Sequence, residues 1–153
     1  MSKSSVFPYG ITLREGGTID VFPVAEVKIQ SKEGEWLSLF LLVDSGAALS
    51  ALPKSDASFF GINLEKGKIM HITGIGSQPI KGWRHNLNID FGRNMMSLPF
   101  VFLDNPNAPR ILGRAGLFEK FSVVFEEHNK RSGFLESGSK EAGAVSKILG
   151  GIS

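Results

Sequence analysis

The segment Trp36–Val43 (WLSLFLLV) runs straight into Asp44-Ser45-Gly46-Ala47, and this junction constrains the chain more than any other stretch. The end of the segment, Phe40 to Val43, is apolar at every position, so both faces of that strand end have to be covered. A carboxylate and a glycine directly after a doubly covered strand place a sharp turn and a charge near the centre of the molecule. A carboxylate there loses hydration, which is costly unless neighbouring groups hold it. Gly46 lets the backbone turn tightly and brings its own N–H towards Asp44. Ser45 offers a hydroxyl that can bond nearby backbone. The tripeptide alone is equally an ordinary turn or cap.

The rest of the chain reads as short strands between turns. Residues 21–30 (VFPVAEVKIQ) are β-rich, with Val27 and Ile29 alternating against Glu26, Lys28 and Gln30. Gly34 supplies the following turn. Ser55-Asp56 is expected to start a short helical turn through Phe60, closed by Gly61. Residues 68–73 and 79–83 flank Gly74-Ile75-Gly76-Ser77 as a hairpin with a glycine-rich tip. Residues 86–91 alternate strictly, residues 95–103 form a further strand after Gly92-Arg93-Asn94, and residues 110–113 form a short apolar strand stopped by Gly113. Residues 115–120 read as one or two helical turns, and Phe121–Glu126 as a late strand. The expected organisation is an N-terminal arm over residues 1–20, one domain over 21–135, and a frayed tail over 136–153. Many short strands with little helix make the fold class all-β, a barrel or a sandwich.

Composition closes off several functions. A chain of 153 residues can bury roughly 68–70% of its unfolded surface, enough for one core without staples. It has no Cys, which excludes disulfides, thiolate metal sites and a thiol nucleophile. A net charge of +2 is too small to argue for nucleic acid or an anionic membrane as partner. No apolar run approaches the ~20 residues of a membrane span. The first ten residues lack the apolar core of a secretory signal, so a cytoplasmic location is the expectation. His71, His85 and His128 lack metal-ligand spacing, no metal or cofactor is expected, and no G-x-S-x-G elbow is present.

Two downstream features sharpen the reading of Asp44. Gly74-Ile75-Gly76 sets an apolar residue between glycines at a hairpin tip, a device that can close over a ligand. Ile111-Leu112-Gly113-Arg114 is a short buried strand ending in glycine. In this order, over about residues 21–126, these motifs resemble the retropepsin-like aspartic proteases. Leu42-Val43-Asp44-Ser45-Gly46-Ala47 is similar to the family's catalytic signature, residues 72–81 to its flap, and Ile111-Leu112-Gly113-Arg114 to its second conserved motif.

The resemblance implies a small closed acid-protease-like barrel with a β-hairpin flap and one short helix near the C-terminal end. It implies a homodimer in which each copy supplies one catalytic Asp44, supported by Ser45 and Gly46. An extended peptide or protein substrate would then lie against Ala47, Ala48, Gly74, Ile75, Gly76 and Leu112. The dimer agrees with a count. Asp20, Asp56, Asp90 and Asp104 are followed by Val, Ala, Phe and Asn, so the chain holds a single Asp-Ser-Gly turn and the second carboxylate has to come from another copy. Two positions depart from the family pattern. Ala48 stands where retroviral members commonly carry Asp, and Ser45 replaces the commoner Thr. The alternative is a catalytically silent module of the same fold that dimerises or binds peptides.

Overall fold

The computed structural model describes residues 3–74 and 78–152. In chain order the strands are β1 (Ser5–Pro8), β2 (Gly10–Leu13), β3 (Ile19–Phe22), β4 (Val24–Gln30), β5 (Trp36–Val43), β6 (Ser50–Pro53), β7 (Lys68–Ile72), β8 (Ile80–Phe91), β9 (Asn94–Leu103), β10 (Ile111–Leu112), β11 (Phe121–Glu126) and β12 (Arg131–Glu136). A 3-10 helix, Lys54–Phe60, follows β6, and one α-helix, α1 (Lys140–Gly150), follows β12.

The main sheet has the order β4-β5-β10-β6-β9-β8-β7, and β4 also pairs with β8. That extra pairing, Lys28 with Asp90 and Ile29 with Ile89, closes the strands into a ring and makes the all-β barrel. The alternation seen in the sequence is the reason it closes around apolar contents. Ala25, Val27 and Ile29 of β4, Leu41 and Val43 of β5, and Leu87, Ile89 and Phe91 of β8 all point inward and are buried. β8 is one strand of 12 residues where two shorter ones were expected. Its first half carries β7 and its second half meets β4, so it projects the β7–β8 hairpin out of the barrel.

The first and last strands build a second layer, with the order β1-β12-β11. Phe7, Phe121 and Phe134 from this layer close on Phe91 of β8, with ring centroids 5.2, 5.7 and 4.8 Å from it. These tilted and edge-on contacts join the layer to the barrel. Among the described residues β2 and β3 pair only with each other, as a separate two-stranded hairpin.

Both ends differ from the expectation. The N-terminal segment is no arm, because β1 pairs with β12 and β3 spans the expected boundary at residue 20. Strand β12, unforeseen in a polar stretch, has Ser132 and Phe134 buried against this pairing. The tail is helical where a frayed end was expected. The Ser139 hydroxyl accepts the Ala142 N–H, Glu141 lies in the first turn and Lys147 in the last, each complementing the helix dipole. Residues 115–120 form consecutive turns in place of a helix.

Candidate active site at the Asp44 turn

β5 and β10 run parallel, with Leu42 opposite Ile111 and Val43 opposite Leu112. The Leu42 N–H donates to Arg110 O (2.9 Å), and the Asp44 N–H to Leu112 O (3.1 Å). On the other side the Val43 N–H donates to Pro23 O (2.9 Å). The backbone entering Asp44 is thus held from both flanks. The turn closes with the Ala47 N–H on Asp44 O (3.2 Å).

The Gly46 N–H donates to Asp44 Oδ1 at 2.9 Å and fixes that oxygen inside the turn. A Cβ on Gly46 would stand 3.2 Å from the same oxygen, so glycine keeps the carboxylate uncrowded. Two turns are laced together behind it. Arg114 N–H donates to Ala47 O and Ala115 N–H to Ala48 O, each at 2.9 Å, and the buried Ser50 hydroxyl accepts the Gly113 N–H at 3.0 Å. Gly113 is needed for this crossing: a Cβ there would meet Leu49 O at 2.4 Å.

Burial falls sharply across the junction. Val43 and Leu112 are buried, Asp44 is half-buried, and Ser45 and Gly46 are exposed. A core-anchored strand therefore presents a carboxylate at an open surface. The sequence placed this charge near the middle of the molecule; in a single copy it lies at the rim.

The other expected site residues divide by position. Ala47 is half-buried and Ala48 exposed in the same turn. Leu112, expected to touch substrate, is a correction. It is fully buried in the core, and a side chain without accessible surface cannot reach a peptide; its contribution is the carbonyl that receives the Asp44 N–H. The β7–β8 hairpin stands where the flap was expected, with Ile72 opposite Ile80 as its last pair and Gly74 exposed beyond it. Ile75 and Gly76 lie outside the described residues.

One supporting pair was not legible in the sequence. Asp56, with its side chain 3% exposed, accepts from Arg110 Nε at 2.7 Å and Nη2 at 3.0 Å. The bond to Asp56 raises the Arg110 pKa above its ordinary value, so the guanidinium stays charged. Arg110 is also the residue whose carbonyl holds Leu42, so the pair braces the strand that carries Asp44. The residues are 54 apart, and only the Lys54–Phe60 turn brings them together. Arg114 has no ion-pair partner among the described residues. A groove of about 1050 Å³ runs between the β2–β3 hairpin and the body and does not include Asp44.

A barrel of this topology, with an Asp-Ser-Gly turn after β5 and a projecting hairpin, has the retropepsin-like aspartic protease fold. Among solved structures the chain is similar to a retropepsin-like aspartic protease from Rickettsia conorii, with a TM-score of 0.56 and 17% identity over 88% of this chain and 93% of that one. It overlaps more loosely with the EIAV protease in complex with an inhibitor, with a TM-score of 0.43 and 20% identity over 67% of this chain and 88% of that one. No protein-family model matches the chain, and no curated protein matches it significantly in sequence.

Proposed function

We propose that this protein is an aspartic endopeptidase, active as a homodimer in which two Asp44 carboxylates face each other. The observation that carries the reading is the Asp44 turn: a strand locked on both sides presents one carboxylate, oriented by the Gly46 N–H, at an open surface. One carboxylate cannot act as acid and base together. Two brought close share a proton, because like charges a few ångströms apart resist joint ionisation.

The ionised Asp44 takes a proton from water as the water oxygen bonds to the scissile carbonyl carbon. The protonated partner gives its proton to the carbonyl oxygen. The resulting diol collapses, the C–N bond breaks, and the amine nitrogen leaves with a proton from the dyad. Ser45, exposed beside Asp44, would brace the paired turns, and Ala47 and Ala48 would flank an extended peptide below the β7–β8 hairpin.

The test is cleavage of an unfolded protein or a peptide library between about pH 4 and 7, the range in which a shared proton is held. The wild type should cut and Asp44→Asn should not; equal cleavage by both refutes the assignment. A second reading, a silent peptide-binding module, is favoured by Ala48 together with Arg114, which has no ion-pair partner among the described residues. Peptide binding that survives Asp44→Asn, with no turnover by the wild type at any pH, would establish it.

A further inference from the structure

Strand β5 has two unlike faces. Leu41 and Val43 are buried, whereas Phe40 is 66% exposed and Leu42 and Asp44 are half-buried. Side chains two apart along a strand lie on one face, so Phe40, Leu42 and Asp44 form a single outward row. At about 3.3 Å per residue, Leu42 stands about 7 Å and Phe40 about 13 Å from Asp44 along the strand. Phe40 takes no part in the buried core.

Phe40 and Leu42 also line the groove of about 1050 Å³. Ile11 and Phe22 of the β2–β3 hairpin, and Val24 and Pro109 of the body, add to its apolar walls. The charged residues in those walls cancel: Arg14 pairs with Asp20, and Arg110 with Asp56. Among the described residues the groove therefore carries no net charge. Its volume is at the upper end of the ~300–1,000 Å³ of small-ligand pockets, room for a stretch of extended chain.

We infer that this groove is a subsite for the substrate polypeptide, which selects an uncharged apolar side chain about two to four residues from the cut, with Phe40 as the specificity-determining contact. The inference rests on the endopeptidase reading above and names the substrate class of that same site. Two observations select a polypeptide segment of this kind as occupant. First, the row Phe40, Leu42, Asp44 joins the groove to the carboxylate. An extended peptide advances by about 3.3 Å per residue, like the strand beneath it, so a chain whose scissile bond lies at Asp44 reaches the groove within a few residues. Second, the walls are apolar and their charges are already matched. A charged side chain entering there would lose hydration with no free counter-ion to replace it, whereas an apolar one would cover the exposed ring of Phe40.

The experiment is cleavage of a mixed peptide library by the full chain, with the products sequenced by mass spectrometry. The wild type should enrich Phe, Leu, Ile or Val at one of those positions and reject Asp, Glu, Lys and Arg there. Phe40→Thr keeps a strand-forming residue and removes the ring. It should flatten that preference and lower kcat/KM for the best-cut peptide about tenfold, the loss appearing in KM. Phe40→Leu should keep most of the preference. On the Asp44→Asn background the Tm of both variants should stay within about 2 °C of the parent, since the side chain lies outside the core.

A wild-type profile without apolar preference at those positions, or a Phe40→Thr profile identical to the wild type, overturns the subsite. If cleavage still depends on Asp44 in either case, the protease reading stands and only the subsite falls. If the wild type cuts no peptide, the same library is passed over immobilised wild-type protein. Retention of apolar peptides that Phe40→Thr abolishes then keeps the groove as a peptide site and sinks the protease reading alone. No retention overturns both.

Discussion

Replacing Gly113 by alanine tests how the Asp44 turn is held. The added Cβ would stand 2.4 Å from Leu49 O, 2.5 Å from Leu49 C and 2.9 Å from Ser50 N, against an ordinary contact of 3.4 Å or more. All three are backbone atoms, so no side chain can rotate away. The Leu49–Ser50 peptide has to retreat by about 1 Å, and it starts β6, where Ser50 is fully buried opposite Phe100. The movement also stretches the buried bond from the Gly113 N–H to Ser50 Oγ. Overpacking of this kind costs about 1–3 kcal/mol and a weakened buried hydrogen bond about 1 more, giving about 2–4 kcal/mol. In a chain of this size that is a fall in Tm of about 5–15 °C.

Calorimetry on the Asp44→Asn background reads the stability change on intact protein. In the otherwise wild-type chain, peptide cleavage should fall about a hundredfold, since a shift near 1 Å misplaces the reacting carboxylate. A Tm within 2 °C of the parent would refute the claim that this crossing is close-packed and that it positions Asp44.

Four further outcomes follow from the same geometry. Gly143→Ala, in the exposed interior of α1 with nothing within 4 Å of the new Cβ, should stabilise by about 0.5–1 kcal/mol; a lower Tm would contradict it. Asp56→Ala should cost about 2–3 kcal/mol in urea unfolding, less than a fully buried pair because the Arg110 side chain is 45% exposed and can reach water. Leu112→Ala should cost about 2–5 kcal/mol and lower kcat more than it raises KM, because the side chain fills the core beneath Asp44 and touches no substrate.

Tyr9 titrates above its ordinary value of 10.0, chiefly through burial and then through Glu127. The folded protein therefore holds the phenol proton more tightly than the unfolded chain. The associated stability is complete below pH 10 and is lost as the pH climbs through the folded pKa. Tyr9 is the chain's single tyrosine, so absorbance at about 295 nm reports it alone; a midpoint at or below 10 in native protein would contradict the burial.

Local pattern made much of the fold legible. Trp36–Val43 and Phe121–Glu126 are strands over the spans the sequence indicates. Lys54–Phe60 is a helical turn closed by Gly61 as the glycine suggests, but it starts at Pro53 without a side-chain cap, and Asp56, expected to cap it, lies inside the turn and pairs with Arg110. β6 was missed because four buried residues, SALP, show no period. Helix α1 was missed because its glycine and serine content masked a real signal: Ser139 as cap, with Ala142, Val145, Ile148 and Leu149 at helical spacing. At the site, residue types and order named Asp44, Ser45 and Gly46. They could not say that the Leu112 side chain lies in the core, out of a peptide's reach, while its carbonyl holds the Asp44 N–H, since exposure is not written in a residue's identity.

The amino-acid order by itself determined the strand periods, the turns and the presence of one Asp-Ser-Gly turn, because these depend on side chains a few positions apart. Tertiary structure alone decided that β4 meets β8 to close the barrel, that β1 and β12 pair across the length of the chain, and that Asp56 reaches Arg110. Those contacts join residues from about 54 to more than 120 positions apart. Their formation depends on how the apolar faces pack together, and no local window of sequence contains both partners.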